Sequence, residues 1–414
     1  MSRVSGPRPD RRADTSREGR GRAPGRAPRV ARAALSGVLV AVIAGSVAPA
    51  YGAGARPFLP RIPLDATLTT PTGTWADLAM GRLAEPLNTF WQLFAIPSGA
   101  SRWSLVTPPG VADNGGLVSA TAPHAALLTG FEASVDLGFS PLAETTDAGR
   151  SWSPGLLPSE LAKVPDALAV SAGHRVFALL STGSGRVLDA SNGDLSRWHR
   201  VATERAVASS AAGRACGLLR LTAVATSASG GDALGAACGA PGRVGVLVGS
   251  ATGWSLATPR LRGSLSGAAT EIVRLTASSG TLGALAVAVS AGRTWLVGAW
   301  PGSSAGSWGV SPALELAPGS ELTSTAALAG GGFAVTVARG ARVGVEVLAG
   351  AHARWSRLPD APAGTVAIAS TPGVRYDALT VDGSKFADYV LAKGASSWRR
   401  AQRITAPIQY GSSG

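Results

Sequence analysis

Residues 146–156 read TDAGRSWSPGL: a small polar turn, a tryptophan at Trp152, then a short stretch broken by proline and glycine. The same arrangement returns as SGASRWSLVTPP at 98–109, NGDLSRWHRVA at 192–202, SATGWSLATP at 250–259, SSAGSWGVSPA at 303–313, AGAHARWSRLP at 349–359 and KGASSWRRAQ at 393–402. Trp103, Trp152, Trp198, Trp254, Trp308, Trp355 and Trp398 therefore stand 49, 46, 56, 54, 47 and 43 residues apart. A period of about 40–50 residues holding four short strands is the mark of a β-propeller, in which each unit buries its faces against its neighbours.

The stretches between the tryptophans fit four-stranded units. Apolar runs of about 5–9 residues, such as DALAVSAG, RVFALLSTG and GRVLDAS, are rich in Val, Leu and Ala and bounded by Gly, Ser and Asp. The expectation is an all-β chain of seven four-stranded blades, each reading strand A, B, C, a turn, then a Trp-led strand D; six and eight blades also fit the spacing. The 364 residues after position 50 accommodate seven units of 49. The first unit draws on residues 64–110, where TFWQLFAIP and WSLVTPP read as strands and WADLAMGRLAE as a strand or a short helix, and ITAPIQYGS near the end adds a closing strand. Small residues suit inner strands crowded around a channel, and each Trp is sized to fill the wider gap between the outer parts of neighbouring sheets.

The start of the chain reads differently. Residues 1–32 hold ten Arg against Asp10, Asp14 and Glu18; AALSGVLVAVIAGSVAP follows at 33–49, then Ala48-Pro49-Ala50. A basic leader, an apolar core and a small-x-small site describe a secretory signal peptide over 1–50, cleaved after Ala50. A linker at 51–63, a propeller at 64–410 and a tail at 411–414 complete the organisation. Of the net charge of +13 the leader supplies +7, so the remainder lacks the dense basic patch that nucleic-acid binding needs. Cys216 and Cys238, the two cysteines of the chain, read as a disulfide in an exported protein.

One motif is sharp. Thr145-Thr146-Asp147-Ala148-Gly149-Arg150-Ser151-Trp152 matches the pattern Ser/Thr-x-Asp-x-Gly-x-Ser/Thr-Trp, with degenerate copies at Ser290–Trp295 and around Asn192-Gly193-Asp194. On Thr145, Asp147, Gly149, Ser151 and Trp152 the chain resembles the Asp-box (BNR, or sialidase-type) β-propeller proteins. The resemblance implies a box on the periphery between third and fourth strands, and it bears on fold rather than catalysis. Sialidases of this fold use an arginine triad, a Tyr nucleophile assisted by Glu, an acidic Asp and an Arg-Ile-Pro motif. The chain offers Arg61-Ile62-Pro63, Tyr376, Tyr389, Tyr410, Glu271, Arg260, Arg262 and Arg375. The histidines at 124, 174, 199 and 352 are isolated, without metal-ligand spacing; no metal and no cofactor is expected. For a two-carboxylate glycosidase, Asp113, Glu132, Asp136 and Glu160 are the loop acids to watch.

The leading expectation is a secreted or surface-associated, monomeric, non-catalytic propeller. It binds a glycan or a cell-envelope protein through loops joining D to the next A and B to C, at Asp113, Asn114, Glu132, Asp136, Arg260, Arg262, Arg357 and Asp360. The alternatives are a secreted sialidase-type hydrolase and an assembly scaffold for an exported complex.

Overall fold

The computed structural model describes residues 64–70, 73–82, 89–107, 118–121, 127–130, 142–152, 165–171, 175–192, 195, 197–226, 232–278, 281–302, 307–328, 330–371 and 375–407. The signal peptide, linker and tail read from the sequence lie outside them, as does most of ITAPIQYGS.

The described chain is all-β with almost no helix, and every strand pairing in it is antiparallel. β1 (Thr67–Thr70), β2 (Gly73–Gly81), β3 (Thr89–Pro97) and β4 (Ser104–Leu105) make the first sheet. β5 (Val118–Thr121), β6 (Leu127–Gly130) and β7 (Leu142–Thr145) follow, then β8 (Ala167–Val170), β9 (Val176–Thr182), β10 (Gly185–Ser191) and β11 (His199–Thr203). The fourth group is β12 (Leu218–Thr226), β13 (Asp232–Cys238), β14 (Gly245–Ser250) and β15 (Gly253–Leu256). The fifth is β16 (Ala269–Ser278), β17 (Thr281–Ser290), β18 (Arg293–Pro301), β19 (Trp308–Val310) and β20 (Leu314–Leu316). These two groups share one continuous sheet, but only Ala237↔Glu271 and Cys238↔Thr270 join them. β21 (Glu321–Ala327) to β22 (Phe333–Arg339), β23 (Arg342–Leu348) and β24 (Trp355–Ala361) form the next sheet; β25 (Thr365–Thr371), β26 (Arg375–Asp382), β27 (Lys385–Ala392) and β28 (Arg399–Thr405) form the last. WADLAMGRLAE is a strand as far as Gly81.

Two short helices depart from the sequence reading. α1 (Glu204–Ser209) and α2 (Ala211–Cys216) sit between β11 and β12, in a stretch where the repeat grammar calls only for strands. Each begins on a side chain that accepts an otherwise orphan N–H, Thr203 from Ala206 and Ser210 from Gly213. At six residues each, the helices are too short to show a 3.6-residue period. Cys216 at the end of α2 is bridged to Cys238 at the end of β13. Closing that 22-residue separation stabilises by roughly 3 kcal/mol on the chain-entropy account.

Five of the tryptophans join clusters that reach the preceding sheet, whereas Trp198 packs on its own sheet, its indole donating to Leu195 O at 3.0 Å. Trp152 packs with Trp75 and Leu93, Trp254 with Phe177 and Leu179, Trp308 with Val244 and Val246, Trp355 with Leu285 and Leu296, and Trp398 with Val343 and Val345. Three of these indoles also donate to a carbonyl of the preceding unit: Trp152 to Val106 at 3.0 Å, Trp355 to Pro312 at 3.0 Å and Trp398 to Pro359 at 3.0 Å. These rings are half-buried, so each contributes a part of its apolar area, about 2–3 kcal/mol, while its N–H is satisfied.

Trp103 belongs to the first sheet, and it packs on the last. It is 2% exposed and shares a cluster with Ala367, Leu379 and Phe386. Phe386 stacks on Phe94 (4.3 Å between centroids, 15° between planes) and meets Trp103 edge-on (6.1 Å, 64°). Gln402 on β28 accepts from Trp103 N and donates to Trp103 O, both at 2.8 Å. Nearer the middle, Thr67 Oγ1 donates to Ile368 O at 2.6 Å. The wholly buried Arg274 of β16 donates to Thr67 O at 2.6 Å and Thr325 O at 2.8 Å, joining three first strands.

Candidate functional site

Three places carry polar chemistry worth building up. The first is the turn after β7. Thr145 Oγ1 donates to Asp147 Oδ1 and accepts from Gly149 N, both at 2.9 Å. Asp147 accepts Ser151 N at 2.9 Å and Ser151 Oγ at 2.6 Å. Ala148 and Gly149 both have positive φ, 63° and 82°. A Cβ on Gly149 would stand 2.7 Å from Cβ of Val106, so glycine is required twice over. The hydroxyl and amide of Ser151 hold the Asp147 carboxyl down at about 2. Every group here is spent on the turn itself. The related stretch at Ser290–Trp295 lies elsewhere in its unit: it is the β17–β18 hairpin, and Trp295 is buried on a third strand rather than opening a fourth.

The second place is a buried acid pair. Asp377 on β26 and Asp388 on β27 are both fully buried. Asp377 meets Arg375 Nη2 at 3.0 Å and accepts from Thr371 Oγ1 at 3.2 Å. Burial, then the neighbouring Asp377 charge, pushes the Asp388 carboxyl up to about 8, and burial raises Asp377 as well. Two carboxyls cannot both ionise in such a place, so one retains a proton.

The third is a cavity of about 560 Å³ between the last two sheets, within the range of ligand sites. Its rim comes from the hairpin ends at Leu328 and Gly330, Ala349, Ser370 and Thr371, Arg375 and Tyr376, and Leu391–Ala395. Gly394, at φ 79°, lets the last of these turn tightly, with Ala395 N donating to Ala392 O at 3.0 Å. The wall carries Arg357, Arg375, Lys393 and the half-buried Tyr376, whose hydroxyl burial pushes up. Arg357 holds Asp360 at 2.7 Å and Glu346 at 3.6 Å; Glu346 is raised by burial and drawn back by Arg357. Arg375 makes one long bond, 3.4 Å to Ser101 O, besides its pairing with Asp377; Nε has no hydrogen-bond partner. Lys393 is exposed and has no ion-pair partner among the described residues.

The sequence-read residues are placed as follows. Arg357 and Asp360 form an ion pair on β24, and Arg357 lines the cavity. Arg260 and Arg262 are exposed in the connection after β15 and do not line it. Asp113, Asn114, Glu132, Asp136 and Glu160 lie outside the described residues. The cavity opens at A–B and C–D hairpins, not on the D–A and B–C connections that the sequence favoured. Nor does a sialidase constellation assemble among the described residues: Glu271 pairs with Arg220 at β12–β16, whereas Tyr376 and Tyr389 pack between the last two sheets. Arg61 and Tyr410 are outside the described residues. Lys393, Asp377 and Asp388 carry more of the chemistry than the sequence reading gave them; the one available signal was Asp interrupting the apolar runs YDALTVD and FADYVLA.

No protein-family model and no curated protein matches the chain. Among solved structures it is similar to the GH74 xyloglucanase from Xanthomonas campestris, with a TM-score of 0.52 and 14% identity over 80% of this chain and 52% of that one. It is also similar to a protein from Lactobacillus plantarum (0.49, 11%, covering 81% and 97%) and to YCF48 bound to D1 peptide (0.38, 14%, covering 73% and 87%). The chain thus spans about half the length of the xyloglucanase. The likeness is one of fold, all-β and β-propeller-like. No described helix is long and apolar enough to cross a membrane.

Proposed function

We propose that this chain is an exported, non-catalytic β-propeller of the Asp-box type, seven four-stranded blades closed into a ring, that binds a glycan at the cell surface. The observation that carries the reading is the 560 Å³ cavity lined by Tyr376, Arg375, Arg357 and Lys393. An aromatic face beside planar donors and the hydroxyls of Ser370 and Thr371 suits a hydroxylated ligand. The ring is supported by the seam of Trp103, Phe386 and Gln402 between first and last sheets. Export is supported by the leader at 1–50 and by the bridged Cys216–Cys238 pair.

The test is to incubate the purified domain from residue 51 onward with an array of neutral glycans and sialosides, reading both retained protein and released sugar. Retention without release is expected. Released sugar would overturn the non-catalytic reading, and the absence of both signals would move the weight to a protein partner.

A further inference from the structure

The last sheet is strongly basic. Between Thr365 and Thr405 stand Arg375, Lys385, Lys393, Arg399, Arg400 and Arg403 against Asp377, Asp382 and Asp388. Two of those acids, Asp377 and Asp388, are fully buried, and burial raises both. Lys385, Lys393, Arg399, Arg400 and Arg403 are exposed, and none has an ion-pair partner among the described residues.

Register places most of these cations on one side. Tyr376 pairs with Leu391, Tyr389 with Arg400, Ala387 with Arg403 and Lys385 with Thr405. Directly paired residues of adjacent strands share a face, and residues two apart along a strand share it too. Lys385, Arg400 and Arg403 therefore lie on the face of Tyr376 and Tyr389, both of which pack toward β23 and β24 in the preceding sheet. The cavity opens on that same groove. From Lys385 to Lys393, one residue past the end of β27, the cationic track runs the length of that strand, about 27 Å at 3.4 Å per residue.

We propose that this groove binds an acidic polysaccharide, the carboxylate-bearing sugars lying along Lys385, Arg403 and Arg400 and one of them entering the cavity against Lys393 and Arg375. The inference rests on the glycan-binding reading and gives it a ligand class. Arg375 also lines the cavity, its guanidinium held against Asp377 and Ser101 O. A polymer is favoured over an acidic peptide adding as a strand. β28 is an outer strand carrying three arginines, and its pairing with β27 is broken by a bulge at Asp388/Tyr389; charge and bulge both blunt an edge against strand addition.

The experiment compares binding of polygalacturonate and of the same polymer with its carboxyls reduced, at 50 mM and 300 mM salt, for three proteins. These are the wild-type domain, an Arg400→Ala/Arg403→Ala variant and a Lys393→Ala variant. The substituted side chains are exposed, and an unchanged melting temperature confirms folding. The expected result is binding of the acidic polymer alone, weakened tenfold or more by the added salt, tenfold or more by the double substitution and about fivefold by Lys393→Ala. Equal binding of the reduced polymer, or wild-type affinity in the double variant, would overturn the inference. So would polyglutamate binding as tightly as polygalacturonate. Binding confined to neutral glycans on the array would sink this inference and leave the glycan-binding reading standing; no glycan bound at all would sink both.

Discussion

Asp147 and Asp388 are the same side chain in opposite settings. Asp147 sits in an exposed turn, its two oxygens filled by Ser151 and Thr145, and its carboxyl is held at about 2. Asp388 lies fully buried at the packing of last sheet on first, neither oxygen has a hydrogen-bond partner among the described residues, and its carboxyl is driven up to about 8. In the turn, donors arrive from the local backbone and water still reaches the charge. At the seam, desolvation wins and the group stays a neutral acid near pH 7. The difference teaches that a carboxylate at the corner shapes one turn, whereas Asp388 shares its strand face with Phe386 and opposes Leu379, the face that packs on the first sheet.

The largest effect should come from the seam's apolar part. Trp103→Ala removes a fully buried ring against Phe386 and is expected to cost about 3–5 kcal/mol in urea unfolding. A loss below about 1 kcal/mol would mean that the first and last sheets are held by something else. Asp388→Asn should act the other way. With its folded value raised, the acid contributes stability that is fully present below its unfolded value near 4, and this is lost as pH rises toward 8. The amide should therefore raise stability by about 2 kcal/mol at pH 8 and flatten the profile between pH 4 and 8. Destabilisation at pH 8 would instead mean an ionised Asp388 paired with Arg375. The smallest effect belongs to the turn. Asp147→Ala should lower the melting temperature slightly at pH 7. The carboxyl's folded value is depressed, so its contribution is present above about 4 and lost as pH falls toward 2, where variant and parent should converge. An equal deficit at pH 2 and pH 7 would assign the loss to packing instead.

Much of the fold was legible because its information is local. The runs GRVLDAS, RVGVLVGSA, RTWLVGAW, RVGVEVLAG and FADYVLAKG each contain a third strand, since strand and turn signals act over a few residues. The Trp positions were legible for the same reason, as each follows its own turn. α1 and α2 escaped because one Thr and one Ser cap decide them while their flanks read as β. The cavity escaped because its wall gathers Leu328, Ala349, Tyr376 and Lys393 from four hairpin ends. The acid pair escaped for a further reason. Asp377 faces Val390 and Asp388 faces Leu379 in the ladder, so the two meet on the diagonal, which spacing alone does not reveal.

Two long-range contacts set the order of events in making the molecule. Thr67 finds its acceptor on Ile368, 301 residues further along the chain, and Trp103 finds Gln402 at a separation of 299. Synthesis yields the first sheet long before the surface it closes on, and contacts of such sequence separation are slow to form. Until the last sheet emerges, Phe94 and Trp103 lack their partners, a nascent-chain hazard that lasts while some 299 further residues are made and that a holding chaperone is suited to cover.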